Sequence, residues 1–133
     1  MVCIYCGGKT KVANSRSSIK TGSTWRRRRC LGCSAVMTTR ERVDLEDALR
    51  IKTTSGRLQP FLRDKLLVSV HLSLSHRKTA LSDSTELTDT IIGTLAGLHT
   101  DGVIDITALT DEAASTLARF DNAAGVYYKA HYC

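Results

Sequence analysis

Cys3-Ile4-Tyr5-Cys6 and Cys30-Leu31-Gly32-Cys33 decide how the first part of this chain folds: two Cys-x2-Cys pairs with twenty-three residues between them. A two-residue spacer lets one tight turn aim both sulfurs at a single ion, and two such pairs make a tetrahedral four-thiolate site with metal–sulfur bonds of about 2.3 Å. Gly7 and Gly8 follow the first pair and Gly32 sits inside the second, where the chain must bend around sulfur. The separation of the pairs is slightly longer than is common for such sites, which a longer hairpin between the knuckles accommodates. Zn2+, one per chain, is the expected ion. A rubredoxin-like iron centre uses the same ligands and stays open at this point, whereas disulfides do not suit a chain with no sign of export. About forty residues bury too little core to fold alone, so the metal is expected to be structural. Cys133 is read as a terminal spectator thiol.

The charges divide at the same place. Residues 1–43 carry ten basic side chains and one acid, Glu41, a balance of +9; residues 44–133 carry nine basic and twelve acidic, a balance of −3, within a net +6. A strongly basic third is therefore joined to a mildly acidic remainder, the pattern of a polyanion-binding module attached to something else. The 133 residues suffice for one ordinary domain or two small ones, and 42% apolar content suffices for a core. No uncharged apolar run reaches the roughly eighteen residues of a membrane span. Met1 to Cys6 lacks the basic-then-apolar layout of a signal peptide, so a cytoplasmic protein with no membrane partner is expected.

Thr10 to Arg16 alternates as a strand does, and Ser17 to Thr24 is a Ser/Gly/Lys loop. Trp25-Arg26-Arg27-Arg28-Arg29 then runs directly into Cys30. Adjacent residues of an extended segment point to opposite faces, so the four arginines cannot all lie on one edge. Some are expected to offset the charge of a zinc tetrathiolate; the others, with Lys11, Arg16, Arg40 and Arg42, form a candidate phosphate-binding surface, with Trp25 and Tyr5 as candidate stacking or wedge groups. Arg forks suit phosphates and guanine edges alike. A merely solvated basic face is the alternative.

Beyond Asp44 the pattern changes. Leu49 to Thr53 alternates, Thr54-Ser55-Gly56 reads as a turn, and Arg57 to Phe61 returns as an edge strand limited by Pro60. Apolar residues at 62, 66, 67, 70 and 74 have helical spacing, and Ser82-Asp83-Ser84 offers N-cap chemistry for a second helix with Leu87, Ile91, Leu95 and Leu98 on one face. Val103 to Ile106 is a candidate third strand, Thr110-Asp111-Glu112 the start of a helix through Phe120, and Asn122 to Tyr132 a last helix in which Gly125 is unfavourable. The expected class is α+β: a small four-cysteine β ribbon over residues 1–45, then a small β-sheet with three to four helices over 46–133. No catalytic set is visible. There is no phosphate-binding Walker loop and no nucleophile with a recognisable base, His71, His76, His99 and His131 are scattered, and Gly93-x3-Gly97 reads as close helix packing. Binding rather than catalysis is expected.

In order and near-register, Cys3-x2-Cys6-Gly7, Thr10-Lys11-Val12, Ser15-Arg16, Arg26 to Arg29 before Cys30-x2-Cys33, and Thr38-Thr39-x-Glu41 resemble the zinc ribbon of the NrdR family, bacterial transcriptional repressors of ribonucleotide reductase genes. Pro60-Phe61-x-Arg63-Asp64-Lys65-Leu66 resembles the start of that family's ATP-cone, and the likeness continues to the Tyr-rich tail. The resemblance implies a ribbon that binds double-stranded DNA boxes in reductase promoters through Lys11, Arg16, Trp25, Arg26, Arg27, Arg28, Arg29, Arg40 and Arg42. It also implies a cone that binds ATP or dATP as regulatory ligand, and a homo-oligomer whose assembly, and hence DNA affinity, follows nucleotide occupancy. Lys52, Gly56, Arg57, Phe61, Lys65 and Tyr132 are the nucleotide-binding residues so implied, with Lys65 and Arg57 on phosphate and Phe61 as a pocket wall. The chain departs from the family at Thr53-Thr54, where two basic residues are usual, at Leu58-Gln59, where Arg-Glu is usual, and at Gly125 and Tyr127. A zinc-stabilised RNA- or protein-binding adaptor, its cone no longer binding nucleotide, is the alternative from a different class.

Overall fold

The stretch between the cysteine pairs forms a hairpin in the computed structural model, which describes residues 1–99 and 101–133. Strand β1 (Thr10–Ser18) pairs antiparallel with β2 (Ser23–Cys30), and β2 pairs antiparallel with β3 (Val36–Glu41), giving a three-stranded sheet with β2 in the middle. The loop expected over Ser17 to Thr24 shrinks to residues 19–22, because Ser17 and Ser18 pair with Thr24 and Ser23 and extend the ladder. The sheet belongs to a compact unit, Met1–Asp44. Its buried side chains are Cys3, Cys30 and Ser23, while Val2, Ile4, Tyr5, Val12, Leu31 and Val36 are exposed.

The second compact unit, Leu45–Cys133, opens with a short helix α1 (Leu45–Ala48) and a hairpin of β4 (Arg50–Lys52) and β5 (Leu58–Pro60). The turn closes through Thr53 N–H to Arg57 O (2.8 Å) and Gly56 N–H to Thr53 O (2.9 Å), with Gly56 at φ +83°, a left-handed backbone that glycine adopts without strain. Strand β6 (Val103–Asp105) pairs parallel with β4 on the other side, so the small sheet runs β5-β4-β6. Four longer helices complete the unit: α2 (Arg63–Ser73), α3 (Ala80–Leu98), α4 (Ile106–Phe120) and α5 (Asn122–Tyr132). The chain is thus α+β. Among the described residues, no helix is long and apolar enough to cross a membrane.

The core is one cluster of seventeen buried residues, all in this second unit. The central strand contributes Ile51 and β6 contributes Ile104; Leu66, Val70 and Leu74 come from α2 and the residue that caps it, Ile91, Ile92 and Leu95 from α3, and Leu109, Ala113, Ala114 and Leu117 from α4. The i, i+4, i+8 positions of α2 and the i, i+4, i+8 positions 109, 113 and 117 of α4 are the stripes that helical periodicity demands.

Several local expectations give way to tertiary structure. Helix α3 starts at Ala80, ahead of Ser82-Asp83-Ser84, and Asp83 instead accepts from Thr79 Oγ1 (2.6 Å) and Arg77 Nε (3.1 Å). Helix α4 starts at Ile106, directly off β6, ahead of Thr110-Asp111-Glu112. Leu98 is 72% exposed rather than on the core face of α3. Gly93 and Gly97 do not mediate close packing: a Cβ at either would meet nothing within 4 Å. Gly125 does, since a Cβ there would lie 2.6 Å from Ala118 Cα, so α4 and α5 approach backbone to backbone. Asp121 starts α5 by accepting the Ala124 N–H (3.2 Å), and the same carboxylate meets His76 Nε2 (2.9 Å) and Arg77 Nη1 (3.1 Å). The Arg77 guanidinium also sits 4.7 Å from the centre of the Phe120 ring.

Candidate functional site

The four sulfurs come from two knuckles: Cys3 and Cys6 ahead of β1, Cys30 at the end of β2 and Cys33 in the turn to β3. All four lie within 4.8 Å of one another, with Cys3 and Cys33 at 3.7 Å and Cys6 and Cys30 at 3.5 Å. A tetrahedron with bonds of about 2.3 Å has edges of about 3.8 Å, so the donor set fits a single tetrahedral ion. Backbone N–H groups donate to sulfur, among them Tyr5 to Cys3 (3.4 Å), and Gly32 (3.3 Å) and Cys33 (3.4 Å) to Cys30. A Cβ at Gly8 would come within 3.3 Å of the Cys6 sulfur and 3.5 Å of the Cys30 sulfur, a tight fit against the cluster. The Cys33 N–H, seconded by those of Gly32 and the Cys6 thiol against the cost of burial, brings the Cys30 thiol down to about 6. Cys33 goes the other way: the Ala35 N–H favours its thiolate, but the Cys6 and Cys30 thiols and burial outweigh it and push it up to about 11. Crowded sulfurs cannot all shed protons unaided, and a divalent cation replaces those protons with its own charge.

The sheet next to this cluster sorts the arginines by face. Residues directly opposite each other in an antiparallel ladder share a face. Opposite Trp25, Arg27 and Arg29 of β2 stand Arg16, Asn14 and Lys11 of β1 and Arg40, Thr38 and Val36 of β3. One face therefore collects Lys11, Arg16, Arg27, Arg29 and Arg40 around Trp25, with no acid among them. Lys11 and Arg16 are an odd number of residues apart and would fall on opposite faces of a regular strand; a bulge between Val12 and Asn14 resets the alternation. Arg26 and Arg28 point the other way. Arg26 forms an ion pair with Glu41, and Arg28 Nε donates to Thr39 Oγ1 at 3.3 Å. The four arginines are thus divided between the two faces, as adjacent residues of a strand must be, and the two on this second face already have partners within the sheet. Arg42, exposed, follows β3.

The second unit contains a cavity of about 390 Å3 between its small sheet and the helices. Ile51 and Thr53 of the first hairpin strand and its turn, Gln59 and Pro60 of β5, Phe61 between β5 and α2, Lys65 and Ser69 along α2, Ile106 and Thr110 of α4, and Tyr128 and Tyr132 of α5 all line it. Phe61 is 1% exposed and forms a wall. The Tyr128 hydroxyl lies 3.4 Å from Ser69 Oγ, and burial raises Tyr128 above its ordinary range. The Tyr128 and Tyr132 rings are tilted against each other at 4.7 Å between centres.

A sequence profile described as Transcriptional repressor NrdR-like, N-terminal domain, matches residues 1–41. The transcriptional repressor NrdR of Ruegeria pomeroyi is 36% identical over 135 aligned residues, which cover 99% of this chain and 84% of that protein. The chain belongs to the NrdR family. The NrdR of Xanthobacter autotrophicus is likewise 36% identical over 99% of this chain and 72% of its own length. That of Symbiobacterium thermophilum is 37% identical over 68% of this chain and 60% of its own length. Membership and the four-sulfur geometry agree on a zinc ribbon at the N-terminus.

Within this NrdR-family chain, the expected metal ligands converge completely. The nucleotide-binding candidates separate: Phe61, Lys65 and Tyr132 line the cavity, whereas Lys52, Gly56 and Arg57 do not. Parity explains Lys52, because Ile51 and Thr53 on either side of it face the cavity and Lys52 pairs with the exposed Leu58. Reading the sequence missed Tyr128, Ser69, Thr110 and Ile106 as lining residues, and saw Thr53 and Gln59 only as departures. Helical spacing could have found Tyr128, four residues before Tyr132; Ile106 and Thr110 depended on where α4 begins.

Proposed function

We propose that this chain is a non-enzymatic repressor of ribonucleotide reductase genes in the bacterial cytoplasm. Its ribbon, residues 1–45, grips double-stranded promoter DNA with the face formed by Lys11, Arg16, Trp25, Arg27, Arg29 and Arg40, with Arg42 at its edge. Residues 46–133 act as a regulatory domain that binds ATP or dATP in the cavity bounded by Phe61, Lys65 and Tyr132. Nucleotide biases the assembly of a homo-oligomer, and assembly sets DNA affinity, because one small ribbon reads few base pairs and several held together bind with avidity. The observation that carries this reading is the acid-free basic face beside a four-thiolate cluster, made continuous by the bulge in β1.

The face geometry supplies its own test. Arg27→Ala with Arg29→Ala removes two cations of the proposed DNA face, whereas Arg26→Ala with Arg28→Ala removes two that have partners within the sheet. Retention of a reductase-promoter fragment should fall by more than about tenfold for the first pair, and its log–log salt slope should become shallower by about 2, since each lost phosphate contact removes about 0.9 from the slope. The second pair should leave the slope within about 0.5 of the unmodified chain. Equal losses from both pairs, at unchanged zinc content, would remove the face assignment.

A further inference from the structure

We infer that the cavity recognises the nucleoside and a single phosphoryl group of its ligand, so that a nucleoside monophosphate binds about as well as the triphosphate. This rests on the proposed reading that the second unit binds a nucleotide. Among the described residues, Lys65 is the only ionisable cation lining the cavity, and no carboxylate lines it. What the walls offer instead are neutral hydrogen-bonding groups on Thr53, Gln59, Ser69 and Thr110, together with two tyrosines. Hydroxyls and an amide suit base edges and ribose hydroxyls, and the aromatic and aliphatic walls suit a flat base.

One anionic group can still be accommodated. The first turn of α2 lines the cavity through Leu62 and Lys65, and its N-cap residue, a leucine, gives no side-chain cap to the backbone N–H groups of that turn, which carries Lys65 and the acid Asp64. Further phosphoryl groups each bring charge that must be met by additional cations or donors if they are to add affinity. The hairpin positions that could have supplied them are Thr53 and Gln59, both neutral, while Lys52 and Arg57 lie off the cavity. Electrostatics beyond the walls do not help, since residues 44–133 sum to −3. Binding of the longer phosphate chain therefore gains little over binding of the shorter one.

Calorimetric titration of the zinc-loaded full chain with adenosine, AMP, ADP and ATP, in magnesium-free and magnesium-containing buffer, tests this. ATP should bind no more than about threefold more tightly than AMP, and the Lys52→Ala, Arg57→Ala double variant should bind both unchanged. ATP tighter than AMP by more than about thirtyfold would overturn the inference while leaving nucleotide binding intact. Loss of that advantage in the double variant would show the phosphate chain running out along the hairpin. Absence of heat with all four compounds would overturn nucleotide binding itself, and the inference with it, in favour of an adaptor.

Discussion

The two units of this chain hold themselves together by different means. Met1–Asp44 buries Cys3, Cys30 and Ser23 and leaves its aliphatic side chains in solvent, whereas Leu45–Cys133 buries all seventeen residues of the hydrophobic cluster. In the second unit each buried Leu, Ile or Phe contributes about 1.5–3 kcal/mol, so apolar burial is its main favourable term. In the first, strand pairing and four sulfurs remain. The difference also suits the two proposed roles, because a unit without an apolar core can turn one whole sheet face of cations to a partner, while a unit with one can enclose a cavity.

Removing the metal should have the largest effect, and only on the first unit. Structural zinc supplies about 10–16 kcal/mol to small modules of this kind, more than any other contribution available to residues 1–44. The chain has a single tryptophan, Trp25, in the middle strand of the ribbon, so its emission reports the first unit, whereas helical circular dichroism reports the second. A strong chelator should shift Trp25 emission to that of an exposed indole and abolish DNA retention, with most of the helical signal unchanged. Cys30→Ser should do the same without chelator. If Trp25 emission stays unchanged after stoichiometric loss of metal, the ribbon has a source of stability other than its sulfurs.

The same division explains what could be read from the residues alone. Cysteine spacing is a covalent constraint carried by four positions, so the metal knuckles were legible, as were the first hairpin of the second unit and α2, whose signals are local and mutually consistent. The bulge between Val12 and Asn14 was not legible. It is a property of how two strands pair, and it decides whether Arg16 joins Lys11 on one face of the sheet. Likewise Thr110-Asp111-Glu112 is good helix-start chemistry, yet α4 begins four residues earlier because burying Ile104 in the sheet and Leu109 in the core ties the strand directly to the helix. Half of the proposed nucleotide set reached the cavity, and the half that did not, Lys52, Gly56 and Arg57, lies in or beside a turn whose register depends on its partner strand.

A smaller effect, with opposite signs at two sites, is expected in the helices of the second unit. In isolation Gly→Ala within a helix stabilises by about 1 kcal/mol. Gly93→Ala on α3 should deliver a gain of that order, because nothing lies within 4 Å of the new methyl group. Gly125→Ala on α5 should destabilise by about 1–3 kcal/mol despite its better propensity, because its methyl would sit 2.6 Å from Ala118 Cα and force α4 and α5 apart. Urea unfolding followed by helical circular dichroism measures both. A stabilising Gly125→Ala would mean that the two helices are not in backbone contact.

The weakest of these tests concerns the clasp at the start of α5, and it depends on pH. The His76 ring first, then the Ala124 N–H and the Arg77 guanidinium, hold the Asp121 carboxyl down to about 2 from an ordinary 3.8. A carboxyl lowered on folding contributes stability that is fully present above its unfolded value and is lost as pH falls through its folded one. The second unit of the unmodified chain should therefore exceed Asp121→Asn in stability at neutral pH, with the gap closing between about pH 4 and pH 2. Asp83, which shares Arg77, is also lowered, by Thr79 first, so the Asp83→Asn variant should show a gap closing in the same direction. Helical circular dichroism across an acid titration reads both gaps free of the ribbon, which loses its metal as its thiolates are protonated. A gap that persists unchanged to the lowest pH would make Asp121 a neutral cap for Ala124, and the charge on His76 and Arg77 irrelevant to how α5 is held.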